Sequence, residues 1–378
     1  MPYRLATAHH GTTKILHYFC AVRKGVCMKN LKILVVCLNP CIDALYEVDD
    51  FAHGGLNRVS VTRRDAAGKG VNVAIALANL GVRVVCTGFN FCENGELLRR
   101  KLDESKVAYD FVDVSGEVRT NIKLYEKSTG AMTELNQPGS FVPFHAQAEL
   151  LEKIRRHNAD VLVLSGSRPE NVEADFYAKI VAQEHGKFIL DMEGDALLLA
   201  LDAAGASIQN VYDTSGIVAH KKIFAVKPNL FELESTFGVK FSSPVQPKEI
   251  IDFCRASHVA RPSPSASATS NGRRVALATA QNICVSMGAG GAVLITGEDA
   301  YYSPALSVQA KGVAGAGDAM VAGLVFALAM GSPVEDYLPA AMAAAAASVM
   351  RDGTLMCTRE EFDRFFSEAR EVCCCLQG

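Results

Sequence analysis

Short apolar runs alternate with helical patterns through most of the chain, and this alternation constrains the fold more than any other feature. The runs are bounded by Gly, Pro or Asp and lie at 31–38, 82–88, 160–166, 187–191, 222–228 and 283–288. Between them, helical patterns lie at 70–80, 93–105, 145–157, 172–184 and 229–236. Strands that alternate with helices form a parallel sheet with helices on both faces, and ligands bind beyond the carboxyl ends of its strands. We therefore predict a mostly parallel α/β fold.

Four further segments depart from this alternation of strands and helices. They are brief, and apolar and polar residues alternate within them. They lie at 46–48, 59–61, 111–114 and 122–125. Alternation of this kind is typical of strands with one exposed face. We predict a small extra β-sheet, a lid over one edge of the main sheet, built from about 44–64 and 108–136.

The ends of the chain and two internal stretches differ from the rest. Residues 1–27 contain no acidic residue and no apolar periodicity, which predicts a disordered extension; an organellar targeting peptide is the alternative. The stretches at about 203–222 and 256–274 are predicted insertions, the second one rich in Ser, Ala and Pro. We expect one domain over 28–370 and a frayed tail with exposed thiols at 371–378.

Composition excludes several classes of protein. The chain has 378 residues, 49% of them apolar, so it can bury a large core. Its net charge of −3 gives no basic field for nucleic acid or an acidic membrane surface. No apolar run approaches the roughly 20 residues that span a bilayer. The twelve cysteines form no pair of CxxC motifs, so they indicate a reducing, cytoplasmic setting instead of zinc or disulfides.

The stretch GVAGAGDAMVAG at 312–323 is the strongest functional signal. Gly315, Ala316 and Gly317 place almost no side chain above the backbone, and an apolar helical sequence follows. Backbone N–H groups at a helix N-terminus favour an anion, above all phosphate. Asp318 does not suit a simple phosphate cradle, but it suits a base that takes a proton from an attacking hydroxyl. The alternative is an ordinary turn with Asp near the helix cap, where Asp is favoured.

Other polar residues follow predicted strands. Each alone is typical of a cap, a turn or a solvated charge, but their recurrence at the strand ends of one α/β sheet favours a ligand site. The residues are Asn39 and Asp43 in LNPCID; Gly68, Lys69 and Asn72 in AGKGVNV; Arg119 and Asn121 in VRTNIKL; Asn229 and Glu232 in VKPNLFELE; and Ser286, Gly288 and Gly291 in VSMGAGG.

Taken together, GAGD, GKGVNVAIALANLG, KPNLFE and SMGAGG resemble the ribokinase-like (PfkB-type) carbohydrate kinases. The resemblance covers about residues 30–355. The segments LNPCID, RTNIKL and TELNQPG resemble the sugar-phosphate branch, the 1-phosphofructokinases and tagatose-6-phosphate kinases. The resemblance implies a ribokinase-like fold with a small β-sheet lid.

The resemblance also implies roles for individual residues at the phosphoryl-transfer centre. Asp318 would be the catalytic base, and the backbone of Gly315, Ala316 and Gly317 would be the anion hole. Asn229 and Glu232 would order Mg²⁺ through water, as suits a cation that keeps much of its hydration shell.

The remaining roles concern the two substrates. Asp43 would bind sugar hydroxyls, with Gly68, Asn72 and Asn121 in the same pocket. Lys69 and Arg119 would hold the phosphate already on the substrate, since the planar fork of Arg suits phosphate oxygens. The residues implied to border the nucleotide are Ser286, Gly288, Gly291 and Gly353.

The sequence departs from the family pattern at three places, where a change in affinity for the sugar phosphate or the nucleotide is expected. Ala67 replaces a usual glycine before the Lys, Arg168 and Glu170 stand in a turn that relatives build from Leu, Pro and Gly, and Gly312–Ala314 lacks a usual hydroxyl residue. None of these changes removes the acid, the anion hole or the metal residues.

The expected activity is ATP-dependent phosphorylation of a phosphorylated ketohexose, first of all fructose 1-phosphate to fructose 1,6-bisphosphate. Tagatose 6-phosphate is the alternative acceptor, and a non-catalytic sugar-phosphate-binding protein is the alternative class. A nicotinamide-dependent dehydrogenase is disfavoured, because no GxGxxG follows the first strand. The expected partners are ATP with Mg²⁺, a ketohexose phosphate and a second copy of the chain, joined through the lid.

Overall fold

A computed structural model describes residues 29–209, 223–259, 277–297, 299–312 and 314–376. In chain order the strands are β1 (Ile33–Cys37), β2 (Cys41–Val48), β3 (Ser60–Ala67), β4 (Val85–Glu93), β5 (Ala108–Glu117), β6 (Arg119–Glu126), β7 (Met132–Asn136), β8 (Val161–Ser165), β9 (Lys187–Asp191), β10 (Ile223–Val226), β11 (Ala280–Ser286), β12 (Ala292–Thr296), β13 (Asp299–Ser303) and β14 (Cys374–Cys375).

Ten strands form the central sheet, in the spatial order β14-β13-β12-β11-β10-β9-β8-β1-β4-β5. The pairings from β11 to β5 are parallel, and those from β11 to β14 are antiparallel. The predicted mostly parallel sheet is confirmed, and each of the six predicted apolar runs overlaps one of its strands. These runs are continuous because strands covered by helices on both faces bury every side chain, as β1 does.

Helices cover the sheet in two layers. One layer contains Lys69–Asn79, Ala316–Met330, Tyr337–Val349 and Arg359–Val372. The other helices are Gly95–Glu104, Phe144–His157, Phe176–Gln183, Gly194–Gln209, Leu230–Phe237 and Pro247–Val259. In the first layer, a Cβ built on Gly323 would lie 2.4 Å from the Ala340 carbonyl oxygen, so glycine permits the close approach of two helices. Within the described ranges, no helix has the length and hydropathy needed to span a bilayer.

A separate four-stranded sheet, here called the small sheet, has the order β3-β2-β6-β7. It confirms the predicted extra sheet but corrects one of its members. The segment 111–114 lies in β5, which pairs in parallel with β4 at the edge of the central sheet. An edge strand is partly exposed, so it shows the same alternation as a lid strand. The small sheet therefore begins its second part at Arg119, not at 108.

The predicted insertions and tail also change at their edges. Residues 203–209 are the end of the helix Gly194–Gln209, and 256–259 are the end of the helix Pro247–Val259. The remainder of both insertions, like the extension at 1–27, lies outside the described residues. The predicted frayed tail is wrong for Cys374–Cys375, which form β14 against β13, although both side chains are exposed as expected. Backbone pairing at a free sheet edge gives no apolar signal in the sequence.

The strand order places β1 beside β8, and the chain winds in opposite directions from these two strands. From β1 the chain proceeds to β4 and β5 on one side, and from β8 it proceeds to β9, β10 and β11 on the other. Ligands of open α/β sheets bind where the direction of winding reverses in this way. At this point Asn39, just after β1, donates from Nδ2 to Ser167 Oγ after β8 at 3.3 Å.

Candidate active site

A cavity of about 930 Å³ lies beyond the carboxyl ends of the central strands and against the small sheet. It is lined by the predicted residues Asp43, Gly68, Lys69, Asn72, Arg119, Asn121, Asn229, Glu232, Ser286, Gly315, Gly317 and Asp318. The predicted residues outside its lining are Ala316, Gly288, Gly291 and Gly353. Segments far apart in the sequence therefore meet at one cavity.

The glycine-rich turn forms the start of the helix Ala316–Met330, whose N-cap is Gly315 with φ 80°. The positive φ requires glycine here, whereas the contact of a Cβ with Met356 Cε, at 2.6 Å, could be relieved by a shift of that flexible side chain. In the part of the chain that the structure describes, no side chain caps this helix. Its first N–H groups are therefore available to an anion.

Asp318 lies in the first turn of this helix and is 6% exposed. Asn72 Nδ2 donates to its Oδ2 at 2.8 Å, which fixes the carboxylate beside the cavity. Burial and the neighbouring carboxylate of Asp191 raise the pKa of Asp318 to about 6, against the lowering effect of Lys69, Asn72 and Lys227. A carboxylate with this pKa is ionised at neutral pH and is a stronger base than an exposed Asp.

Lys69 is the first residue of the helix Lys69–Asn79, and its Nζ lies 2.9 Å from Glu232 Oε1 and 3.7 Å from Asp191 Oδ1. Burial acts to lower the pKa of Lys69, but the carboxylates of Asp191, Glu232 and Asp318 outweigh it and raise the pKa above its ordinary value. The lysine is thus a permanent cation beside the glycine-rich turn.

Asn229 and Glu232 form a capping box on the helix Leu230–Phe237. Asn229 Oδ1 accepts from the Glu232 N–H at 2.8 Å, and Glu232 Oε2 accepts from the Asn229 N–H at 2.9 Å. Both side chains also line the cavity, and their oxygens are ligands of the kind that Mg²⁺ prefers. Among the described residues, no group of three or more His, Cys, Asp or Glu could hold a metal ion. An amide and a carboxylate oxygen beside the cavity fit a cation that keeps most of its water.

The small sheet supplies the other end of the cavity. Asp43 lies on β2 beside Asn121 on β6, and Asn121 Nδ2 donates to Asp43 Oδ1 at 3.2 Å. Lys123, two residues further along β6, holds Asp43 Oδ2 at 2.7 Å. Sequence reasoning did not single out Lys123. The period of two along a strand could have identified it, because it lies on the same face as Arg119 and Asn121.

Arg119 connects the small sheet to the end of β1. Its Nη1 donates to Asn121 Oδ1 at 3.0 Å and to the Gln137 carbonyl at 2.9 Å, while Nε and Nη2 reach the Asn39 carbonyl at 3.4 Å. The last two bonds are long, and Arg119 lines the cavity. A guanidinium with five N–H donors can therefore bind a phosphate here as well.

The predicted nucleotide residues are spread more widely. Ser286 lines the cavity, whereas Gly288 begins a short 3-10 turn, Gly288–Gly290. Gly291 has φ 87°, and a Cβ on it would lie 2.1 Å from the Ser303 carbonyl oxygen. A Cβ on Gly353 would lie 3.2 Å from Asp65 Oδ2 on β3. Packing thus requires glycine at 291, and the nucleotide role of these glycines remains a prediction.

Two of the three departures reach the cavity. Arg168 and Glu170 line it, and Arg168 donates to the Val172 carbonyl within its own turn. Ala314 also lines it, while Val313 lies outside the described residues. Ala67 is buried at the end of β3, away from the lining.

The sequence analysis assigned no role to two buried charges, Lys227 in the cavity lining and Asp191 outside it. Asp191 ends β9 with 0% exposure, and Lys227 follows β10 with 3%. Their ion pair measures 3.2 Å between Lys227 Nζ and Asp191 Oδ1. Each residue stands at the carboxyl end of a buried strand, which is a positional signal for a site in this fold class.

The chain is similar to carbohydrate kinases over most of its length. The profile described as pfkB family carbohydrate kinase matches residues 33–361. A 1-phosphofructokinase of Bacillus subtilis is 30% identical over 308 residues, which cover 80% of this chain and 88% of that protein. A tagatose-6-phosphate kinase of Staphylococcus epidermidis is 27% identical over 344 residues, covering 90% of this chain and 99% of that protein.

The fold is similar to that of Escherichia coli phosphofructokinase-2, whose crystal structure in complex with potassium gives a TM-score of 0.73 at 22% identity. This match covers 90% of the present chain and 99% of that one. Another structure of the same E. coli protein is described as its tetrameric inhibited form.

Proposed function

The chain belongs to the pfkB family of carbohydrate kinases, and we propose that this enzyme transfers the terminal phosphoryl group of ATP to a hydroxyl of a ketohexose monophosphate. The first choice of acceptor is fructose 1-phosphate, phosphorylated at C6 to fructose 1,6-bisphosphate. Tagatose 6-phosphate, phosphorylated at C1, is the second candidate, because the B. subtilis and S. epidermidis relatives carry these two activities in their names. Use of ATP and a sugar phosphate agrees with the cytoplasmic setting predicted from the cysteines.

The observation that carries the proposal is the position of Asp318 at an uncapped helix start. The carboxylate takes the proton of the sugar hydroxyl while the hydroxyl oxygen attacks the terminal phosphorus of ATP, and ADP leaves. The N–H groups of the turn at Gly315–Gly317 stabilise the charge on the transferring group, as the anion hole. Lys69 and Lys227 add fixed positive charge beside this turn.

The remaining cavity residues divide between the two substrates. Asp43 and Asn121 bind the sugar hydroxyls, next to Gly68 and Asn72, and Arg119 binds the phosphate that the sugar already carries. Lys69 lines the cavity beside the carboxylates of Asp191 and Glu232, and we assign it to the phosphates of both substrates. Mg²⁺, ordered through water by Asn229 and Glu232, would neutralise the phosphates of ATP.

A comparison of four acceptors tests the proposal. Initial rates of ADP release are measured with MgATP and fructose 1-phosphate, tagatose 6-phosphate, fructose 6-phosphate or free fructose. We expect the highest kcat/KM with fructose 1-phosphate and the lowest with free fructose, because Arg119 has no partner on an uncharged sugar. Binding of the sugar phosphates without ADP release would favour a non-catalytic binding protein.

Glu232→Gln separates the metal role from the capping box. Gln at this position preserves a capping box, so the melting temperature should change little. Loss of the carboxylate charge should raise the Mg²⁺ concentration for half-maximal rate about tenfold, as for other residues that orient a metal. Titrating Mg²⁺ at saturating ATP measures this. An unchanged Mg²⁺ requirement in the folded variant would remove Glu232 from the metal site and leave its contacts with Asn229 and Lys69 as its role.

We also propose a homodimer through the small sheet. Its edge strand β7 is exposed along its length, with Met132 at 50% and Leu135 at 57% exposure. Exposed apolar side chains on a sheet edge favour pairing with another chain. Sedimentation velocity should give a dimer that Leu135→Lys shifts towards monomer, whereas Phe144→Lys, at a 75% exposed residue outside the small sheet, should not. A wild-type monomer would contradict this proposal.

A further inference from the structure

Within the residues that the structure describes, Asp191 is the only one that forms ion pairs with both lysines of the transfer centre, Lys69 and Lys227. Its Oδ1 lies 3.2 Å from Lys227 Nζ and 3.7 Å from Lys69 Nζ, and Ser165 Oγ donates to its Oδ2 at 2.9 Å. The carboxylate is completely buried at the end of β9. It does not line the cavity, so it acts through its neighbours and not on a substrate.

The two lysines are held where the phosphoryl group would pass. A Cβ built on Gly317 would lie 3.2 Å from Lys227 Nζ, so this ammonium adjoins the glycine-rich turn. Lys69 lines the cavity from the start of its own helix. The two cations repel each other, and a buried, unpaired ammonium loses its charge or moves to water. A carboxylate between them offsets their repulsion and keeps both ammonium groups charged and in place.

We propose that Asp191 is a positioning residue, which holds Lys227 beside the glycine-rich turn and Lys69 at the cavity. This inference rests on the proposed kinase function. One buried carboxylate would then affect the reaction in two ways, through the positions of the lysines and through its charge near Asp318.

The second consequence follows from the charges that face Asp318. Asp191 raises its pKa, while Lys69 and Lys227 lower it, and Asn72 stabilises the ionised form by its hydrogen bond. Glu232 carries a further negative charge at this centre and pairs with Lys69 Nζ at 2.9 Å. With its pKa of about 6, Asp318 is protonated and inactive as a base below that pH. The rate of the wild-type enzyme should therefore fall as the pH decreases through about 6.

The test is the pH dependence of kcat/KM in Asp191→Asn. Loss of one negative charge should lower the pKa of Asp318. The acid limb of the pH profile, which is the fall in kcat/KM at low pH, should therefore move to lower pH by about one unit. The optimum kcat should fall about tenfold, since the lysines lose their anchor. All variants use the same substrates, so the ionisation of the substrates does not affect the comparison.

Asp336→Asn is the matched control. Asp336 is also a buried, ion-paired carboxylate, at 2.8 Å from Arg370 Nε, but it lies outside the cavity lining. We expect this variant to lower the melting temperature without moving the acid limb. A purely structural Asp191 would behave in the same way.

Lys227→Met provides a test of opposite sign, because loss of a positive charge should move the acid limb to higher pH. If Asp191→Asn alone does not fold, the double variant Asp191→Asn/Lys227→Met removes both charges of the pair, and Lys227→Met still reports the shift. An acid limb that stays in place in every folded variant overturns the inference. The inference is also overturned if Asp191→Asn changes the Mg²⁺ requirement and leaves the acid limb in place, since that result would assign Asp191 to the metal. Absence of transfer in the wild-type enzyme overturns the proposed function itself, and with it the inference.

Discussion

Asp318→Asn should lower kcat by about 10²–10⁴-fold, the usual contribution of a general base. Asn occupies nearly the same volume, so the glycine-rich turn and the contact with Asn72 should persist while the proton acceptor is lost. MgATP and the sugar phosphate should still bind, and ATP should bind slightly more tightly without the nearby negative charge. Rapid-quench measurements of a single turnover, together with calorimetric binding of both substrates, separate these two effects.

The competing interpretation of Asp318 is a helix-terminal carboxylate without a chemical role. In that case Asn, an equally good residue near a helix cap, should change neither stability nor rate. The N-cap is Gly315, and the Asp318 side chain accepts from Asn72 instead of capping the helix. Asp336→Asn again serves as a control for the loss of a buried carboxylate. A variant that retains more than about a tenth of the wild-type kcat would remove Asp318 from the mechanism and favour a binding protein.

The fold could be predicted from the sequence where burial is simplest. Strands buried on both faces, such as β1 and β9, are continuous apolar runs, and helices with one apolar face show their period directly. The assignment failed at β5 because an edge strand of the central sheet and a strand of the small sheet have the same alternation. Only the spatial pairing with β4 distinguishes them.

The site was predictable where a motif is local. The turn at Gly315–Gly317, the helix start at Lys69 and the Asn229–Glu232 pair each combine chemistry and geometry within a few residues. Asp191 and Lys227 have no such local pattern, because a single polar residue after an apolar run is also the ordinary end of a strand. The two residues meet because β9 and β10 are adjacent in the sheet. This long-range pairing cannot be inferred from the periodicity of the sequence.

Arg119→Ala should raise KM for the sugar phosphate about ten- to a hundredfold, because it deletes a charge-assisted, two-pronged contact worth roughly 1.5–3 kcal/mol. KM for ATP should hardly change, since Arg119 belongs to the small sheet and not to the glycine-rich turn. With free fructose, which has no phosphate, the variant and the wild-type enzyme should have similar KM values. Initial rates with each substrate varied in turn measure the three constants.

The same arginine also ties β6 to the Asn39 and Gln137 carbonyls, so loss of structure is the competing explanation of a raised KM. Arg119→Lys distinguishes the two, because it keeps the positive charge and loses the planar fork. A phosphate role predicts a KM between those of the wild type and Arg119→Ala, with the same preference for the phosphorylated sugar. Arg155→Ala, at a surface ion pair with Glu152, should change neither constant. An equal rise of KM for ATP, sugar phosphate and free fructose would instead assign Arg119 to the attachment of the small sheet, and the sugar phosphate would then need another cation, of which Lys123 is the nearest along β6.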